Sequence, residues 1–187
     1  WIGQIIGSIT PATRWPIGAD GRRRKPPAAV NVAFTAAGLA ACGLPPAAHC
    51  TFPSEFREGV AIPHRSRILG DTAESAPEAW ELGGPQHEPV HALVILNAAT
   101  DAELEARIGD QRRLLAQSNG GVIELAAGLQ RGHRPGNDRE PFGFRDGIAQ
   151  PAIAGLAGRG VPTGEFILGY ENHYRSIPPT PVVPAEL

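Results

Sequence analysis

The chain has 187 residues and a formal net charge of −2, with 42% hydrophobic and 19% charged residues. These are the values of an ordinary globular protein able to bury a core. They provide no global field toward nucleic acid or an anionic membrane, and no stretch reaches the roughly 18 consecutive apolar residues of a membrane span.

Trp1, Ile2, Ile5, Ile6 and Ile9 recur at helical spacing, and Thr10-Pro11 ends the predicted helix because the residue before proline disfavours the α region. Arg22, Arg23, Arg24 and Lys25, followed by Pro26-Pro27, read as a solvated basic loop. Val30–Phe34 alternates apolar and polar residues, the pattern of a half-buried strand. Thr35 is placed to cap a helix over Ala36–Cys42 that Gly43 stops. Ser54 is the expected cap of a segment from Glu55 to Ala61, and Ser75 with Glu78 has capping-box spacing ahead of Trp80.

Val90–Leu96 is a nearly continuous apolar strand. Thr100 and Glu103 form a second capping box, and Leu104, Ile108, Leu114 and Leu115 stripe the helix that follows. Val122–Leu129 is the next strand candidate. Strand, helix, strand in this order predicts an α+β fold: a ferredoxin-like module with an antiparallel sheet and flanking helices, whose first strand would precede Trp1. The 23 glycines and 19 prolines concentrate between the periodic segments and predict many turns. Cys42 and Cys50 are too few for a disulfide framework or structural zinc, and Cys42 reads as a small buried hydrophobe. His87 and His91 are four apart, but Pro89 between them argues against a helical metal face.

Beyond residue 130 the chain becomes polar and glycine-rich, and then reads EPFGFRDGIAQPAI over 140–153. Asp146 stands between Gly143 and Gly147, with Phe142 and Phe144 just before it. An Asp-Gly pair is a common turn signal. The same residues also make a rigid carboxylate on a backbone bare enough to lie against a flat group. Phe142 and Phe144 would supply apolar wall or anchor the loop.

This motif resembles the GxxDG signature of the dye-decolourising (DyP-type) haem peroxidases. Four further blocks resemble that family in order: VNVAFTAAGLAACGLP at 30–45, FPSEFREGVAIPHRSRILGDTAESAPEAW at 52–80, HALVILNA at 91–98 and GEFILGYEN at 164–172. Departures are Pro141 where many relatives carry histidine, Ala149 near a Ser or Thr position, and Val60 where methionine is usual. The resemblance implies a peroxidase that uses haem b and hydrogen peroxide to oxidise dyes or phenolic donors. It makes Asp146 the distal acid–base residue and puts Gly147, Ile148 and Ala149 along the haem edge.

In the family the proximal histidine and the distal arginine lie far beyond the aspartate, whereas this sequence runs only to Leu187, and His173 does not match the ligand's spacing. The chain starts at Trp1 and has no methionine. The expectation is therefore the N-terminal half of a duplicated DyP/chlorite-dismutase-like fold. Residues 1–130 would be an incomplete ferredoxin-like module, and 131–187 the distal haem loop with the start of a second. By itself such a fragment is expected to bind haem poorly and turn over little.

Trp1, Trp15, Trp80, Tyr170 and Tyr174 are candidate relay positions for bulky aromatic reducing substrates, although burial is the expected state of each. The alternative is a haem-free ferredoxin-like assembly or interaction module, since such folds host many functions. Neither nucleic acid nor membrane is an expected partner, homo-oligomerisation is left open, and the cytoplasm is the favoured compartment.

Overall fold

The computed structural model describes residues 1–11, 15–22, 24–125, 128, 130–132, 139, 142–145, 151–155 and 159–185. They fall into two compact units, 1–128 and 129–187.

The first unit is α+β. Its order is α1 (Ile2–Ile6), β1 (Ala28–Phe34), α2 (Ala36–Ala41), α3 (Pro46–His49), α4 (Ser54–Glu58), α5 (Pro63–Leu69), β2 (Ala92–Ala98) and α6 (Asp101–Gln117). β1 and β2 pair antiparallel, with Ala28 opposite Ala98 and Phe34 opposite Ala92. Alternation sorts their side chains into two faces. Val30, Val32, Val94 and Leu96 share the more buried face, while Asn31, Ala33, Leu93 and Ile95 face outward.

α6 packs over this sheet and chiefly over β2. Its start is set as expected: Thr100 Oγ1 accepts from the Glu103 N–H at 3.2 Å, and Glu103 Oε2 accepts from the Thr100 N–H at 3.2 Å. Ile108 is buried, while Leu104, Leu114 and Leu115 are only half-buried, and Gln111 takes a core position between them. Thr35 caps α2 by accepting from the Gly38 N–H at 3.0 Å, and its own hydroxyl donates to Val90 O at 2.7 Å. One residue therefore starts the helix and ties it to the chain just before β2.

Several expectations are corrected. Val122–Leu129 is not a strand among its described residues, 122–125 and 128. The chain there turns back on α6: Val122 N–H donates to Ser118 Oγ at 3.2 Å, and Glu124 pairs with Arg112 at 3.2 Å. Cys42 is exposed, because α2 ends at Ala41 and the cysteine is its C-cap, past the buried Ala36 and Gly38. Ser54 lies inside α4, whose N-cap is Pro53, and the helix stops at Gly59 (φ 72°) before reaching Ala61. Ser75 caps nothing; its hydroxyl donates to Thr72 O, and 3-10 turns occupy Ala73–Ser75 and Pro77–Ala79. Pro77 prevents the two turns from merging into one helix.

The second unit is held mainly by turns. Among its described residues the regular structure is one 3-10 turn, Thr163–Glu165, and two isolated bridges, Arg139 with Arg145 and Ile153 with Val161.

Candidate functional site

Asp146, Gly147, Ile148 and Ala149 lie outside the described residues, so the site is built from what flanks them. On the upstream side, Arg139 and Arg145 face each other in an antiparallel bridge, and the Arg139 guanidinium donates to Gly143 O. Gly143 turns the chain at φ 89°, a conformation that favours glycine. The turn leaves Phe142 84% and Phe144 70% exposed. Neither anchors the loop in a core; both stand as open apolar surface immediately before the aspartate.

On the downstream side the chain is closely tied. Ala154 N–H donates to Val161 O at 2.9 Å, Val161 N–H to Ala152 O at 2.7 Å, and Thr163 Oγ1 to Ala154 O at 2.9 Å. A Cβ at Gly160 would fall 2.1 Å from Ala152 O, so only glycine permits this approach. Farther along, Glu165 Oε1 accepts from both the backbone N–H of His173 (2.8 Å) and its Nδ1 (3.1 Å). The backbone N–H, followed by the imidazole contact, holds the Glu165 carboxyl below the usual carboxylate range. Asn172 Oδ1 closes the next turn, accepting from Tyr174 N–H and from the N–H and hydroxyl of Ser176. The Glu165–His173 pair went unread in the sequence, and no local spacing signal could have found it.

In the first unit, Arg65 lies between Glu55 (3.2 Å) and Glu58 (3.1 Å), while His64 reaches Glu58 at 3.2 Å. These contacts tie α4 to α5 within the 52–80 block. The guanidinium is matched by two carboxylates, so the cluster reads as a structural tie. An open groove of about 540 Å³ runs between α1 and α6, lined in part by Gln4, Ser8, Asp110 and Gln111, and includes none of the expected site residues. His87 Nε2 is taken up by Trp80 O at 2.7 Å. The three tryptophans are half-buried, but Tyr170 and Tyr174 are exposed, contrary to expectation.

A haem requires an apolar cleft and an axial donor. The described flank offers exposed apolar surface, two phenylalanines beside a glycine that has open space where a Cβ would be, and not by itself a cleft. Among the described residues there is no group of three or more His, Cys, Asp or Glu able to hold a metal ion.

The sequence is similar to several dye-decolorizing peroxidases. The chain is 29% identical over 158 residues to dye-decolorizing peroxidase msp1 of Mycetinis scorodonius, a match covering 79% of this chain and 28% of the relative. It is 30% identical over 153 residues to dye-decolorizing peroxidase AauDyP1 of Auricularia auricula-judae, with the same coverage. It is 32% identical over 134 residues to a dye-decolorizing peroxidase of Exidia glandulosa, covering 71% of this chain and 24% of the relative. The chain thus has affinity with the dye-decolorizing peroxidases and spans little more than a quarter of the length of the curated relatives it matches. No family profile matches it.

Proposed function

We propose that residues 1–187 belong to a haem-dependent peroxidase of the dye-decolourising type, acting on hydrogen peroxide and bulky aromatic donors, with Asp146 as its acid–base residue. The observation that carries this reading is the similarity to peroxidases over 79% of the chain. The exposed Phe142 and Phe144 agree with it, since they offer apolar surface beside the motif.

Peroxide cleavage requires one proton to leave the first oxygen and arrive at the second. A carboxylate within hydrogen-bond reach of both can accept it and return it. Carboxylates of ordinary strength are ionised above about pH 4, so such a base is ready in mildly acidic solution. Haem, when bound, supplies the iron on which peroxide is held and reduced. Gly147, Ile148 and Ala149 would lie along its edge, with the bare Gly147 allowing the backbone close approach. The relatives are matched over only 28% of their length, and the remaining protein groups that hold the haem would come from outside the matched segment. Residues 1–130 would form most of a ferredoxin-like module supporting this loop.

The test is to express the longer polypeptide with haem, record the Soret band, and compare peroxidase turnover with that of Asp146→Asn. The expected result is a haem-loaded protein whose turnover collapses in the variant while the Soret band remains. A longer protein that takes up no haem would overturn the peroxidase reading in favour of a haem-free module. A fully active variant would overturn the role of Asp146.

A further inference from the structure

The groove between α1 and α6 holds a buried acceptor that nothing fills. On α6, Arg107, Asp110, Gln111 and Leu114 fall at i, i+3, i+4 and i+7, so they share one side of the helix, and all four line the groove. Gln111 is only 7% exposed. Its amide oxygen Oε1 is closed from solvent and, among the described residues, accepts no hydrogen bond. A buried acceptor without a donor is costly and uncommon in a folded protein. A leucine of similar volume would extend the apolar stripe of α6 without that cost. The terminal torsion of a glutamine is broad, so a modest rotation of the amide turns Oε1 toward the groove.

Charge and shape define the rest of what would fit. Asp110 is shared by two guanidiniums, Arg107 at 3.0 Å and Arg113. Two cations against one carboxylate leave a positive charge in excess, and each guanidinium keeps N–H donors beyond its bond to Asp110. Arg107 and Gln111 stand one helical turn apart, with about 5–6 Å between Cβ atoms at such a spacing. An anionic oxygen taken by Arg107 and a hydroxyl given to Gln111 therefore sit on neighbouring carbons of one small molecule. Val30 of β1 and Leu114 add apolar wall, and the volume of about 540 Å³ lies in the range of small-molecule sites. A water could satisfy Oε1 alone, but it would leave the surplus cation and the apolar wall unused.

We infer that this groove binds a small α-hydroxy acid with an apolar body. Its carboxylate lies on Arg107 and Arg113, its hydroxyl donates to Gln111 Oε1, and its apolar part rests against Val30 and Leu114. The inference is independent of the peroxidase reading, since every residue involved lies in the first unit and none belongs to the 140–153 motif.

Mandelate is the probe, with phenylacetate lacking only its hydroxyl and mandelamide lacking only its charge. NMR titration of the isotope-labelled 187-residue chain, read at the Gln111 side-chain amide and the Arg107 Nε–H, gives the affinities. Mandelate should shift both signals to saturation. Phenylacetate should bind about 10-fold more weakly, because Oε1 stays unpaired, and mandelamide should be weakened at least as much. Gln111→Leu should bind mandelate and phenylacetate alike, with a urea midpoint equal to or above that of the parent chain. Arg107→Gln should lose most of the preference for mandelate over mandelamide. The absence of saturation by mandelate at tens of millimolar would overturn the inference. Equal binding of mandelate and phenylacetate by the parent chain would overturn it too, and this comparison needs no variant to fold. A Gln111→Leu chain that folds and keeps the preference for mandelate would show that Gln111 is not the acceptor, with the same consequence.

Discussion

Replacing Gly38 by alanine tests how closely α2 approaches the chain before β2. At a solvent-facing helix position, Gly→Ala stabilises by about 1 kcal/mol through propensity. At Gly38, however, the new Cβ would lie 1.8 Å from His91 O and 2.6 Å from His91 C, both backbone atoms that no rotamer change can move. Restoring ordinary contact requires a displacement of roughly 1.5 Å. That movement would break the Thr35 cap on Gly38 N–H and the Thr35 N–H to His91 O bond.

A lost cap costs about 1 kcal/mol, a lost backbone hydrogen bond about 1, and overpacking about 1–3, for a net destabilisation of about 2–4 kcal/mol after the propensity gain. Gly109→Ala is the control, because its Cβ would meet only the tip of Arg113 at 3.6 Å. It should stabilise by up to about 1 kcal/mol. Urea unfolding of the 187-residue chain, followed by tryptophan fluorescence, reads both variants. If Gly38→Ala stabilised as much as Gly109→Ala, the close approach of α2 to His91 would be refuted.

Thr100→Ala removes the α6 capping box and should destabilise the first unit by about 1 kcal/mol, seen as a lower urea midpoint at unchanged slope. An unchanged midpoint would mean that the cap is idle. For Glu165, a carboxyl held below its usual range contributes stability in full above that range, and loses it as pH falls through the lowered value. His173→Ala should raise the Glu165 titration only part of the way, as followed by carboxyl-carbon NMR, because the backbone N–H that is its largest cause remains. A complete return to the usual range would assign the whole effect to the imidazole.

Local chemistry explains what could be read along the chain. β1 and β2 announced themselves by apolar patterning, and α6 by a capping box followed by a stripe, because these signals are complete within a few residues. The Thr35 cap was legible for the same reason. Val122–Leu129 had the composition of a strand, but a strand also needs a partner edge, and here the segment turns back on α6 through Ser118 and Arg112. Cys42 had the composition of a core residue but lies one position past the end of its helix.

The site divides in the same way. The residue order around Asp146 is entirely a property of the sequence, and with the ordered blocks it carried the peroxidase reading. The exposure of Phe142 and Phe144, the Glu165–His173 pair and the approach of Gly38 to His91 join residues across turns or across separate elements. By itself the sequence determined which segments could be strand or helix and which acid the family resemblance singles out, since propensity, capping and motif act over short spans. Only the tertiary structure decided which backbone groups were satisfied and which were left open, because a hydrogen bond needs its partner brought from elsewhere in the chain.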